Sequence, residues 1–266
     1  TFGVGHGVSV GWSEDNEIYT ETIPKAKLDK LTPDIINKNT QKPFDISMKE
    51  LSEGNSYEVL DELFNQYADW IKELENDLSS TEKFYEDVAR ENINNCYEAL
   101  ARMQAGINLI KEDEKVREAF ELSNFAMYKQ QLRPSDPADV RRIKEFNQTE
   151  EKDKQIVFDK EVKEKEIEPK WRPFQIAFIL LNLESIVNED SKYRENVELL
   201  WFPTGGGKTE AYLGISAFTL FYRRLIDPSD NGTGIIMRYT LRLLTAQQFD
   251  RSSRLICAME KIRKEK

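Results

Sequence analysis

Three consecutive glycines followed by a lysine and a threonine are the residues best suited to chemistry in this sequence. They close the run Trp201-Phe202-Pro203-Thr204-Gly205-Gly206-Gly207-Lys208-Thr209. Glycines allow backbone N–H groups to turn inward around an anion, and a helix that begins just after them directs its positive end at the same point. The general phosphate-loop pattern is G-x-x-x-x-G-K-[ST], and here Phe202 replaces the first glycine. The spacing predicts a site for the phosphates of ATP.

Each residue of this loop has a predicted role. The backbone groups that are predicted to bind phosphate belong to Thr204, Gly205, Gly206 and Gly207. Lys208 and Thr209 are predicted to act in catalysis. Lys208 is predicted to contact the β- and γ-phosphates, and Thr209 is predicted to bind Mg²⁺ through its hydroxyl oxygen. The alternative is that the glycines only cap a helix, which would be costly for three glycines in a row without a ligand.

A second candidate site lies upstream, in the run Trp171-Arg172-Pro173-Phe174-Gln175. A glutamine amide carries both a donor and an acceptor, and these match the acceptor and donor on the edge of adenine. We therefore predict that Gln175 selects ATP and that Arg172 contributes to the same nucleotide site. The alternative is an ordinary glutamine at the start of a helix.

A basic stretch near the end of the sequence is predicted to contact nucleic acid. From Arg238 to Lys266 there are eight basic residues and three acidic ones, in a chain whose formal net charge is −10. Hydroxyl, guanidinium and helix-start N–H groups suit a nucleic-acid backbone. The predicted contact residues are Arg238, Thr240, Arg242 and Gln247. An amphipathic helix with a solvated basic face would produce the same charge pattern.

The segments that must position these groups change in character along the chain. Residues 1–54 are punctuated by glycine and proline and predict an irregular or β segment, with a turn and an edge strand before residue 13. Residues 55–138 carry apolar residues at helical spacing and predict a helical accessory domain. Residues 139–170 mix acidic and basic residues densely and predict a charged linker. Residues 171–266 are predicted to form a partial ATP-binding domain.

The element pattern predicts an α/β fold. In the helical domain we expect three helices, which start at Asn55 or Ser56, near Ser80, and at Glu114. Further along, two apolar strands are expected at 197–201 and 234–239, and helices are expected over 209–225 and 242–262. Two strands joined through a helix form a βαβ unit, whose strands are normally parallel. The predicted fold class is therefore α/β with parallel strands, preceded by a mainly helical domain.

The composition excludes several classes of protein. The 266 residues are 39% hydrophobic and 32% charged, as in soluble globular proteins. The apolar stretches are far shorter than the roughly 20 residues that a bilayer span needs, so we expect a cytoplasmic location and no membrane partner. Two cysteines and one histidine leave few ways to build a disulfide framework or a multi-histidine metal site. Because the sequence starts at Thr1 and stops within a predicted helix, we expect it to be part of a longer protein.

Together the three motifs resemble the start of a superfamily 2 helicase motor. The run from Arg172 to Gln175 resembles the adenine-reading Q motif. The loop that ends at Thr209 resembles motif I, with Phe202 in the usual alanine position. The run from Arg242 to Gln247 resembles motif Ia without its customary proline. This resemblance implies a RecA-like domain, ATP and Mg²⁺ as cofactors, and a nucleic-acid partner, DNA in particular.

Several stretches also resemble the helicase subunits of bacterial DISARM antiphage systems. They are the Gly5-His6-Gly7 opening and residues 118–127, 171–183, 199–214 and 237–248. The resemblance implies an ATP-driven DNA motor in antiphage defence, with another DISARM protein, DrmB, as a partner. No Asp-Glu pair follows an apolar strand after Thr209, and no second motor domain is present. ATP binding is therefore expected of this chain, and ATP hydrolysis only of the longer parent protein.

Two other functions stay open. One is a P-loop NTPase that does not act on nucleic acid, although the basic stretch and Gln175 argue against it. The other is a non-enzymatic scaffold whose residues 55–131 dock a partner protein, which is compatible with the helicase hypothesis. The motor interpretation requires the glycine loop to lie between a central β-strand and the first turn of a helix.

Overall fold

The computed structural model describes residues 9–15, 17–21, 34–132, 168–202, 206–239 and 242–265. Helices account for 65% of these residues. The chain divides into two compact units, Thr1–Thr32 and Pro33–Lys266. In the first unit, strand β1 (Ser9–Trp12) pairs antiparallel with β2 (Ile18–Glu21), and Val10 lies opposite Thr20. The predicted edge strand before residue 13 is therefore confirmed.

The second unit is mainly helical. Its elements in chain order are β3 (Ile46–Ser47), α1 (Met48–Ser52), α2 (Tyr57–Asp77), a short 3-10 helix (Leu78–Ser80), α3 (Glu86–Glu112), α4 (Glu114–Leu132), β4 (Lys170–Trp171), α5 (Pro173–Val187), α6 (Lys208–Ile226) and α7 (Arg242–Glu265). Strands β3 and β4 pair antiparallel, with Ile46 opposite Trp171. Within the described residues, none of these helices has the length and apolar character needed to cross a membrane.

The helices predicted from apolar spacing are present, with differences at their ends. Helix α2 starts where predicted, but Ser56 does not cap it through its side chain. Ser56 has a left-handed φ of 63° and its hydroxyl donates to Glu50 Oε2 at 2.6 Å instead. Helix α3 begins at Glu86 and not near Ser80, because a 3-10 helix and a turn occupy the intervening residues.

One hydrophobic core joins the long helices of the second unit. Helix α3 packs on α5, and α4 packs on both α6 and α7. A Cβ atom on Gly106 of α3 would lie only 2.2 Å from the carbonyl oxygen of Leu180 on α5, so the close crossing of these helices requires glycine. The predicted charged linker lies almost entirely outside the described residues, and the division into domains stays a prediction.

The predicted α/β fold with a RecA-like parallel sheet is wrong for the described part of the chain. The sheets there are two antiparallel pairs of short strands. Residues 197–201 and 234–239 have no regular secondary structure and belong to neither sheet. Val197, Leu199 and Trp201 are 96%, 83% and 81% exposed. A strand needs a neighbouring backbone for its hydrogen bonds and a surface to cover its side chains. Among the described residues these segments pair with no neighbouring strand, and those three side chains are left uncovered.

Candidate functional site at the start of α6

The glycine loop ends at the first turn of α6. The helix begins at Lys208, and Gly207 just before it has a left-handed φ of 92°. A Cβ atom on Gly207 would lie 2.6 Å from Nε2 of Gln175, so both the dihedral angle and the space require glycine. The helix start is thus where the sequence predicted it, whereas the central strand before the loop is not observed in the described residues.

The Lys208 side chain reaches back to Phe202, six residues earlier in the chain. Its Nζ donates a hydrogen bond to the carbonyl oxygen of Phe202 at 2.5 Å. The ammonium therefore lies beside the upstream end of the loop, next to the positive end of α6, which is a favourable place for an anion. Thr209 lies in the first turn of α6 and is half-buried. Pro203, Thr204 and Gly205 are outside the described residues.

Arg172 and Gln175 hold the downstream end of the loop from the start of α5. Arg172 Nη1 donates to the carbonyl oxygen of Gly206 at 2.6 Å, and Gln175 Nε2 donates to that of Gly207 at 2.8 Å. Gln175 Oε1 accepts the backbone N–H of Arg172 at 2.8 Å, and the residue is only 3% exposed. Both polar atoms of the amide are thus bonded within the chain. An adenine contact by Gln175 stays a prediction, and it would require these bonds to break.

Phe202 has a role that sequence reasoning missed. Its ring stacks on that of Phe174, with the ring centroids 4.2 Å apart and an interplanar angle of 8°. The residue that departs from the phosphate-loop pattern therefore anchors the upstream end of the loop to α5. The available signal was the second phenylalanine beside Gln175, in the same short run that resembles the Q motif.

Trp171 connects the same region to the helical core. Its Nε1 donates to Oδ1 of Asn124 on α4 at 2.6 Å. Asn124 is buried, and its Nδ2 donates to the carbonyl oxygen of Phe120 at 2.8 Å. A Cβ atom on Gly214 of α6 would lie 2.8 Å from the Trp171 ring. The tryptophan is therefore fixed between α4 and α6, directly before the residues that hold the loop.

The predicted nucleic-acid residues form a less defined group. Arg238 and Gln247 are exposed, Arg242 is the first residue of α7, and Thr240 is outside the described residues. Many basic residues further along α7 form ion pairs: Arg251 with Glu210, Arg254 with Asp250, Lys261 with Glu265, and Arg263 and Lys264 with Glu260. Burial, followed by the nearby Arg254, lowers the pKa of the Arg251 guanidinium. Five of the six basic residues of α7 thus lie beside a carboxylate, although the stretch from Arg238 to Lys266 keeps its excess of basic residues.

Comparison with known proteins identifies a relative. No family model matches the chain. The chain is 37% identical over 281 aligned positions to DISARM protein DrmA of Bacillus paralicheniformis. The alignment covers 97% of this chain and 23% of that protein, so the chain spans about a quarter of its relative's length. The resemblance to DISARM proteins predicted from the motifs is therefore confirmed, and nearly the whole of this chain is similar to a part of DISARM protein DrmA.

Proposed function

We propose that this chain is the nucleotide-binding segment of an antiphage-defence protein and that it binds ATP with Mg²⁺ at the glycine loop. The similarity to DISARM protein DrmA supports the defence role. One observation carries the nucleotide-binding part of the proposal. The left-handed Gly207, the N-terminus of α6 and the Lys208 ammonium all lie at one loop. Backbone N–H groups, a helix dipole and an ammonium are the groups that bind phosphate in proteins.

The contacts around the loop suit a phosphate ligand. Arg172 and Gln175 bind the carbonyl oxygens of Gly206 and Gly207, which would otherwise repel an anion. Lys208 donates to a neutral carbonyl, and a charge-assisted bond to a phosphate oxygen is stronger. A triphosphate would therefore draw the ammonium away from Phe202. The Thr209 hydroxyl would supply one oxygen ligand to Mg²⁺.

The role of the longer parent protein is a further part of the proposal. We propose that the parent couples ATP hydrolysis to movement on DNA and acts with another DISARM subunit such as DrmB. Arg238, Thr240, Arg242 and Gln247 would face the nucleic-acid backbone. The exposure of Arg238 and Gln247 supports this, and the paired charges on α7 imply a local contact and not a broad basic surface. Weaker binding of labelled single-stranded DNA by Arg238→Ala, measured by fluorescence anisotropy, tests it.

The loop itself is tested with Lys208→Ala. Titration calorimetry with Mg·ATP should show an increase in Kd of about tenfold to a hundredfold, because a hydrogen bond to a charged group contributes about 1.5–3 kcal/mol. Lys111→Ala is the matched control, since it removes an ammonium that pairs with Asp61 away from the loop. Equal ATP affinity in Lys208→Ala and the unaltered chain would contradict the proposal, as would the absence of binding by the unaltered chain. We expect no ATP turnover by this chain alone.

A further inference from the structure

Arg102 is a buried arginine on α3 that phosphate binding at the loop does not use. Its side chain is 9% exposed. Its Nη2 donates to Oε1 of Glu198 at 2.6 Å, and its guanidinium carbon lies 4.1 Å from the centre of the Tyr193 ring. Its Nε is buried and makes no hydrogen bond within the described residues. A buried cation is unfavourable unless it is paired, so the ion pair and the ring together fix this side chain.

The groups around Tyr193 add further contacts between α3 and residues 192–198. The Tyr193 hydroxyl donates to Glu98 Oε1 at 3.1 Å, and Glu98 lies one helical turn before Arg102 on α3. Lys192 Nζ lies 4.6 Å from the centre of the Tyr193 ring and 3.9 Å from the Glu98 carboxylate. The segment from Lys192 to Glu198 is therefore attached to α3 through two acidic and two basic residues and one aromatic ring.

This attachment leads directly to the glycine loop. Glu198 lies four residues before Phe202, whose carbonyl oxygen accepts Lys208 Nζ. The upstream arm of the loop, defined here as residues 198–202, is therefore held at Glu198 by α3 and at Phe202 by Phe174 of α5. The crossing of α3 and α5 at Gly106, one turn after Arg102, fixes those two helices against each other.

We propose that Arg102 is a positioning residue for the glycine loop. Its ion pair with Glu198 fixes the upstream arm on α3 and so increases the affinity of the loop for the triphosphate of a nucleotide. The inference rests on the proposed nucleotide binding and extends it, because it places one determinant of phosphate affinity on helix α3, outside the loop. Any change that moved α3 against the upstream arm would alter nucleotide binding through the same pair.

The experiment compares Arg102→Gln, Glu198→Gln and the double variant in the full chain. Mg·ATP affinity is measured by titration calorimetry, and the backbone order parameters of the upstream arm are measured by NMR relaxation. We expect each single change to raise the Kd about tenfold, the size typical of coupled pairs, and the double change to raise it no further. The order parameters at residues 199–202 should fall. Lys111→Gln breaks the ion pair between α3 and Asp61 of α2, and should change neither quantity.

The outcomes separate this inference from the proposed function. If Lys208→Ala loses ATP binding while both Arg102→Gln and Glu198→Gln keep full affinity and unchanged order parameters, the positioning role is wrong and the nucleotide site stands. If the unaltered chain does not bind ATP, the proposed function fails. In that case, equal order parameters of the upstream arm in Arg102→Gln and Lys111→Gln would also overturn the positioning role, whereas a fall confined to Arg102→Gln would support it. Urea unfolding of each variant verifies that it is folded.

Discussion

The crossing of α3 with α5 and the glycine loop lie in the same unit but are held in place by different forces. At the crossing, Gly106 brings two helix backbones into contact, and Ile107 and Leu180 beside it are buried. At the loop, Val197, Leu199 and Trp201 are exposed. The loop is held instead by separate contacts, which are polar bonds from Arg102, Arg172, Gln175 and Lys208 and the stacking of Phe202 on Phe174.

This difference determines how each region responds to change. A close-packed core cannot yield at one residue without disturbing its neighbours, so alterations there reduce the stability of the whole unit. A single hydrogen bond contributes only about 1 kcal/mol, so the loop can rearrange locally while the helices stay folded. Changes at the crossing should therefore lower the free energy of unfolding, and changes at the loop should mainly lower ligand affinity.

The largest loss of stability is expected from Gly106→Ala. The new Cβ would lie 2.2 Å from the Leu180 carbonyl oxygen, a backbone atom that cannot rotate away, so the two helices must separate. We expect a loss of about 3 kcal/mol, even though alanine favours a helix by roughly 1 kcal/mol over glycine. Urea unfolding followed by circular dichroism measures it. Gly232→Ala is the control, because its nearest neighbouring atoms would be 3.5 Å away. Similar urea midpoints of unfolding for Gly106→Ala and Gly232→Ala would show that α3 and α5 can separate at little cost in free energy.

A smaller loss is expected from Asn124→Leu, which keeps the number and branching of the side-chain heavy atoms but removes the acceptor of the Trp171 Nε1 hydrogen bond. The indole N–H would remain buried without that partner, at a cost of about 2 kcal/mol. Trp171→Phe should cost less in the Asn124→Leu background than in the unaltered chain, because in that background it also removes an unsatisfied donor. A double-mutant cycle of unfolding free energies tests the coupling. Purely additive losses would mean that the bond does not join α4 to the loop region.

The loop side of the comparison is tested by Gly207→Ala. Alanine is strained at a φ of 92°, and its Cβ would meet Gln175 Nε2. We expect a loss of stability of roughly 1–2 kcal/mol and an increase of about tenfold in the Kd for ATP. Gly54→Ala is the matched control, since Gly54 also has a positive φ, 73°, but its closest neighbour is the Glu121 carboxylate. If Gly54→Ala weakened ATP binding as well, the effect of Gly207→Ala could not be assigned to the glycine loop.

The smallest effect concerns pH and involves a contact between helices α2 and α4. Burial, followed by the nearby Glu121, raises the pKa of the Tyr57 hydroxyl, which donates to Glu121 Oε1 at 3.0 Å. A raised folded-state pKa contributes stability below the unfolded value of about 10, and that stability is lost as the pH rises above it. Tyr57→Phe should cost about 1 kcal/mol at pH 8. Its deficit against the unaltered chain should shrink by pH 11, and a constant deficit in urea unfolding would contradict the assignment.

Local patterns in the sequence predicted the helices well because apolar spacing records which side of a helix is buried. Helix α4 and the start of α6 lie within one residue of their predicted positions. The same apolar content at 197–201 predicted a strand, which was wrong for the described residues because strand formation depends on a neighbour that the segment does not encode. Arg102 and Glu198 are 96 positions apart, so their pairing depends on how the helices pack. Gln175 lies at the loop with the Gly207 backbone as its observed partner, and its contact with adenine stays a prediction.

The exposure of Trp201 has a practical consequence. Trp171 is 3% exposed and hydrogen-bonded, whereas the Trp201 indole, just before the loop, is in water. Indole fluorescence shifts to longer wavelength in water and is quenched there by dissolved iodide, so Trp201 is an intrinsic optical reporter next to the glycine loop. Trp12 and Trp70 are also exposed, at 45% and 42%, so quenching titrations follow events at the loop once both are replaced by phenylalanine.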